Sequence, residues 1–171
     1  MAFNVNDFRA NLVGGGARNS KFEVQVTNPW VSTADGKIPL LCKAASLPAL
    51  TAGIIEVPYM GRKVKLPGDP TYEDWTVTII NDNDFAIRDS IIAWYRAIHP
   101  TVDNSTTFAS TSPALYKSKA LVRQFDMHDK LVKTVTFDGL FPSSVSSIEL
   151  GWETTDTIEE FTVTFAYDWW E

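Results

Sequence analysis

Phe161-Thr-Val-Thr-Phe-Ala-Tyr167 alternates large apolar residues with small ones, setting Phe161, Val163, Phe165 and Tyr167 against Thr162, Thr164 and Ala166. A period of two is what a strand with one buried and one wet face requires. Two other stretches repeat the pattern: Trp75, Val77 and Ile79 with Thr76 and Thr78, and Phe22, Val24 and Val26 with Glu23, Gln25 and Thr27. Weaker strands are expected at Leu40–Ala45, Ile54–Val57, Arg62–Leu66, Ser118–Phe125 and Leu131–Phe137. Asp126–Lys130 reads as a hairpin connection between the last two, and Asp35-Gly36 as an earlier turn. Strands dominate the chain.

One helix interrupts them. Ile87, Ile91, Trp94 and Ile98 recur along a single helical stripe, while Arg88, Asp89 and Arg96 fall off it. Asn83 or Asp84 is placed to cap its start, and Pro100 stops it near Ile98. A lone amphipathic helix among strands must cover a sheet or close the end of a barrel. The fold class is therefore mainly β, a small barrel or sandwich with one flanking helix. Residues 1–171 form a single domain, with 1–16 a flexible N-terminal segment hinged at Gly14-Gly15-Gly16. Asn28–Lys37 and Thr101–Ser112 are expected to be surface connections. Ser46–Met60 carries Leu47, Leu50, Ile54, Ile55 and Tyr59, too apolar for a free loop, and an apolar extension seeks a partner surface.

Apolar residues make up 44% of the 171 and aromatics 12%, which places the chain among folded proteins. No run of apolar residues is long enough to span a membrane, and Met1–Asn11, with Asn4, Asn6, Asp7 and Arg9, lacks a signal-peptide pattern. The formal charge of −6 is uneven. Residues 1–66 hold eight Lys/Arg against four acids, the remaining 105 seven against seventeen, and no Lys or Arg follows Lys133. Opposite signs on two faces would let copies associate head to tail.

A search for chemistry returns nothing. Cys42 is the only cysteine and sits among Leu40, Leu41, Ala44 and Ala45, the setting of a packed thiol and not of a nucleophile. His99 and His128 lie on unrelated segments without metal-ligand spacing. The triple glycine lacks the Gly-Lys-Ser/Thr of a phosphate loop, and Asn81-Asp82-Asn83-Asp84 lacks the glycine and terminal Glu of a calcium loop. We expect no catalytic residue, no cofactor and no metal.

Several blocks taken together resemble the tail tube proteins of contractile-tailed, T4-like bacteriophages. They are Phe22-Glu-Val, Cys42-Lys-Ala-Ala-Ser-Leu-Pro-Ala, Met60-Gly-Arg-Lys-Val-Lys-Leu-Pro-Gly-Asp, Tyr72-Glu-Asp-Trp-Thr-Val-Thr-Ile-Ile-Asn-Asp, Tyr116-Lys-Ser-Lys-Ala-Leu-Val-Arg-Gln-Phe, Gly139-Leu-Phe-Pro and Phe161-Thr-Val-Thr-Phe-Ala-Tyr-Asp-Trp-Trp-Glu171. They keep their order over most of residues 14–171. The resemblance implies a non-enzymatic virion protein, made in the host cytoplasm, whose rings of six copies stack around a lumen that conducts DNA. It implies the sheath, the baseplate or tube initiator and the tail terminator as partners, and no membrane. The inner tube of a tailocin or type VI-like injection system is a related reading, and a carbohydrate-binding β-sandwich with exposed aromatics such as Trp30 or Trp94 a distant one, with Trp94 on the helix's buried stripe arguing against it.

On that basis the expected assembly residues are Leu50, Ile54, Ile55 and Tyr59 in the extended 46–60 loop, together with Trp169 and Trp170. The expected lumen-lining residues are Thr162, Thr164 and Asp168.

Overall fold

The computed structural model describes residues 4–12, 16–101 and 112–171. The polar stretch 102–111 and the glycines at 14 and 15 lie outside them. Among the described residues no helix is long and apolar enough to cross a membrane.

The strands follow the alternation. β1 (Phe22–Val26), β2 (Cys42–Ala45), β5 (Trp75–Ile80), β6 (Ser118–Phe125), β7 (Leu131–Val145) and β8 (Glu160–Ala166) join antiparallel in the order β1-β6-β7-β8-β5-β2. Trp75 faces Phe165, Val77 faces Val163 and Ile79 faces Phe161 across the β5–β8 ladder, all six buried. Trp75 stacks on Phe137 at a centroid distance of 4.4 Å and donates its indole N–H to the Ser46 carbonyl at 2.8 Å.

β7 is longer than its alternation predicts, running to Val145 instead of ending at Phe137. Its first part pairs with β6 and its last part with β8, so it carries the chain from one half of the sheet to the other. Gly139, at φ +70°, sits at the crossing, and Pro142 falls beside a register shift, where its missing N–H costs no ladder bond. β9 (Trp169–Trp170) adds to β7 beside the same bend, with Trp170 opposite Phe137. The Asp126–Lys130 connection is a tight hairpin in which the Asp126 N–H donates to the Lys130 carbonyl at 2.8 Å.

The long helix, Ala86–Ile98, buries Ile87, Ile91, Trp94 and Ile98 as the spacing predicts, and Ser90 with them. Its first residue is preceded by Phe85 in the left-handed region rather than by a capping Asn or Asp. Asp84 contributes one position further out, its carboxylate accepting from the Ala86 N–H at 3.2 Å. Lys37 ties this corner down by pairing with Asp82 at 3.0 Å and with Asp84. Trp94 is fully buried and donates to the Tyr116 carbonyl at 2.8 Å.

Two expectations need correction. The connection 28–37 is not merely surface. Asn28 is buried, its side-chain amide donating to the Ser90 carbonyl (2.9 Å) and hydroxyl (2.8 Å) while its Oδ1 accepts from the Trp30 and Val31 N–H groups, so this segment is fastened to the helix. Leu40 and Leu41 close a helical turn, Ile38–Leu41, and the strand begins only at Cys42. The N-terminal segment contains a seven-residue helix, Val5–Asn11, whose start is held by the Asn4 side chain accepting from the Asn6 N–H at 3.0 Å. None of its residues is buried.

Candidate assembly surfaces

The 46–60 segment is half of a hairpin and not a loop. β3 (Thr51–Tyr59) and β4 (Arg62–Thr71) form their own two-stranded sheet. Met60 and Gly61, both at positive φ, make the two-residue turn that matches strand twist. Near the base a bulge lets Gly53 and Gly68 close up, where a Cβ on either would come to 3.1 Å from facing backbone.

Register sorts the hairpin side chains onto two faces. Ile55 faces Leu66 and Val57 faces Val64, which makes one face apolar, with Tyr59 opposite Arg62 at its tip. Glu56 faces Lys65 and Pro58 faces Lys63 on the other, with the Lys63 ammonium 2.6 Å from Glu56. All of these residues are exposed. A two-stranded sheet alone in water is marginally stable. The apolar face therefore calls for a partner.

The expected assembly residues separate accordingly. Ile55 and Tyr59 share the apolar face, Ile54 lies on the opposite one against Pro67, and Leu50 is exposed just before β3. Sequence reasoning missed Val57, Val64 and Leu66 as surface residues. The signal was present in the alternation of Val64 and Leu66 with Lys63 and Lys65 directly after a Met-Gly turn. Trp170 packs against the core and Trp169 points outward, so the two neighbours have different surroundings.

A second apolar surface had no counterpart in the sequence reading. The connection 146–159 between β7 and β8 exposes Leu150, Ile158 and a wholly exposed Trp152 around a concave pocket of about 590 Å³. Ile148, Leu150 and Trp152 alternate with Glu149 and Glu153 as a strand would, yet they join no ladder.

The outer face of the β2-β5-β8-β7 half is different again. Thr164 lies between Thr76 and Ser144, and Thr162 beside Thr78, which in turn faces Ala44. These rows carry small uncharged side chains, and the Ser143 hydroxyl donates to the Thr164 carbonyl at 3.1 Å. Charge returns at the edge, where Lys43 meets Glu160 at 2.5 Å. Asp168 is not part of this face. It lies beyond the end of β8, where both carboxylate oxygens take the Lys117 ammonium, at 2.6 and 2.7 Å. The outer face of the other half, by contrast, is charged, with Arg123 paired to Glu23 and Lys119 to Asp138.

Cys42 is half-buried, and burial pushes its thiol up to about 11. A group that stays protonated at neutral pH is not a nucleophile.

A closed core, one face of small residues and an exposed apolar hairpin define a β-rich subunit with no chemistry-bearing cluster among the described residues. The chain belongs to the phage tail tube protein family, whose model matches residues 17–171. It is 36% identical over 164 residues to the tail tube protein gp19 of Enterobacteria phage T4, covering 95% of this chain and 96% of that one. Identity to the phage T6 counterpart is 37% over the same coverage. A chain from the sheath–tube complex of an extracellular contractile injection system in its extended state shares the fold, with a TM-score of 0.61, 15% identity and 95% of both chains covered. The chain is a structural component of the virion, a subunit of the tail tube.

Proposed function

We propose that identical copies close into rings of six and that the rings stack into the inner tube through which phage DNA leaves, enclosed by the sheath. The baseplate and the terminator bound the tube at its ends. The subunit has a structural role and catalyses nothing. The observation that carries this is the β3–β4 hairpin, which exposes Ile55, Val57, Tyr59, Val64 and Leu66 in a protein whose core is closed without them. Each such side chain contributes about 1.5–3 kcal/mol when fully buried, so a neighbour that covers the face gains a substantial driving force.

The lumen wall in this reading is the threonine face. A tube that passes DNA must neither neutralise phosphates nor displace their counterions, because each such contact adds affinity and drag. Thr76, Thr78, Thr162 and Thr164 meet that requirement; the charged outer face of the β1-β6 half does so less well. Asp168 is left out of the wall because Lys117 holds it elsewhere.

Electron microscopy of the purified protein tests the proposal. Rings and tubes are expected from the native chain. Ile55→Asp should leave folded, unassembled subunits, whereas Ile54→Asp, on the charged face, should impair assembly less. A native chain that stays monomeric at every concentration and salt would end this reading.

A further inference from the structure

β3 and β4 share no ladder with the seven-stranded sheet, so the direction of the hairpin is set where it joins the body, at the connectors 46–50 and 72–74. We propose that four aromatic rings at the hairpin base, with Tyr72 and Tyr167 as positioning residues, clamp both connectors and fix the angle at which each copy offers its hairpin to another. This rests on the tube reading above and adds what aims the hairpin within it.

The clamp runs without a break from one connector to the other. Tyr72 follows β4 directly and lays its ring 5.9 Å from that of Tyr167, tilted by 52°. Tyr167 keeps the apolar parity of Phe161, Val163 and Phe165 one residue past the end of β8, and its ring meets Phe137 edge-on at 5.0 Å. Phe137 stacks on Trp75 at 4.4 Å, and the Trp75 indole N–H reaches the Ser46 carbonyl at 2.8 Å. The second connector is thus held through Tyr72 and the first through Ser46, and both holds end on one cluster. Phe137 and Trp75 are fully buried, which anchors the cluster in the core, whereas Tyr72 and Tyr167 are half-buried at its outer end.

Rings suit this task. A tyrosine is fixed by two side-chain torsions, so its contacts hold a direction at small entropic cost. Tilted and edge-on pairs at roughly 4.5–7 Å are also the arrangements that the ring quadrupoles favour, which makes the contact angular as well as adhesive.

The length of the hairpin makes its base decisive. β3 runs nine residues, about 30 Å at roughly 3.4 Å per residue. A rotation of about 10° at the base carries the tip through about 5 Å, one strand spacing. A hairpin free to wander that far must lose the freedom on docking, which weakens association without removing a single contact. Tyr72 and Tyr167 therefore act on assembly through the hairpin and not through the interface itself.

The direction of the hairpin can be measured in unassembled subunits. Spin labels on Met60→Cys at the exposed tip and Arg96→Cys on the exposed side of the long helix, in a Cys42→Ala background, report it by pulsed electron resonance. Tyr72→Ala should broaden the distance distribution and raise the critical concentration for polymer about 2- to 12-fold, the factor that one ring pair puts on an equilibrium. Tyr72→Phe should restore both. Trp75→Phe, which keeps a ring but frees the Ser46 carbonyl, should shift both readouts in the same direction as alanine at Tyr72. A purely structural role for Tyr72 would instead lower the urea midpoint and leave the distribution of the folded subunit narrow. That result, a native critical concentration in Tyr72→Ala, or no restoration by Tyr72→Phe would each overturn the clamp and leave the tube reading standing. A native chain that forms no polymer would end the tube reading, and the assembly role of the clamp with it.

Discussion

Gly139→Ala should cost the unassembled subunit about 1–3 kcal/mol. At φ +70° an alanine takes on the left-handed penalty of roughly 1–2 kcal/mol. The added Cβ would also stand 2.1 Å from Asp168 Oδ2 and 2.6 Å from its Cγ, so the carboxylate must swing away and release Lys117. That ion pair is partly exposed and adds about 0.2–1 kcal/mol. For a domain of this size the sum corresponds to a fall in melting temperature of roughly 2–12 °C. Urea unfolding followed by tryptophan fluorescence would measure it. Asp168→Ala alone should cost no more than about 1 kcal/mol. Because the glycine variant already breaks the pair, adding Asp168→Ala to Gly139→Ala should change little. A Gly139→Ala cost below about 0.5 kcal/mol, or full additivity in the double variant, would refute the idea that these residues share one tight crossing.

Trp94→Ala should destabilise the subunit by about 3–5 kcal/mol, since it empties a fully buried site and orphans the Tyr116 carbonyl, again by urea unfolding. Cys42, with its thiol pushed up to about 11, should alkylate roughly 100-fold more slowly at pH 8 than an unburied thiol, its rate rising with pH until about 11. A pH-independent rate would contradict its burial. The Lys37 ammonium, hydrogen-bonded to Asp84, holds that carboxyl below its ordinary value of 3.8. Stability from this contact is therefore complete above pH 3.8 and is lost as pH falls through the lowered value. Asp84→Asn should be less stable than the native chain at neutral pH, with the difference vanishing in acid.

Where side chains repeat with a structural period, the fold was readable in advance. The helix stripe of Ile87, Ile91, Trp94 and Ile98 and the alternation in β5 and β8 place the core directly. The hairpin was half-legible. Pro67-Gly-Asp-Pro70 reads as a strand breaker, yet β4 runs through it because a strand with an open side tolerates missing donors. The reverse error threatens at Ile148–Trp152, where alternation is present but no neighbouring strand is available within the chain. Local pattern reports what a segment can do, and pairing decides what it does. The same limit separated Thr162 and Thr164 from Asp168, which share a parity in the sequence but not a surface, because the chain turns after Ala166.

The prolines of the hairpin have a consequence for the subunit before it is built into anything. Pro58, Pro67 and Pro70 punctuate both rims of a sheet that would otherwise invite a neighbour's backbone to zip alongside. Newly made chains awaiting incorporation are thereby discouraged from fusing into amyloid-like ribbons, and must recognise one another by the shape of their side chains. Misplaced partners can let go and try again.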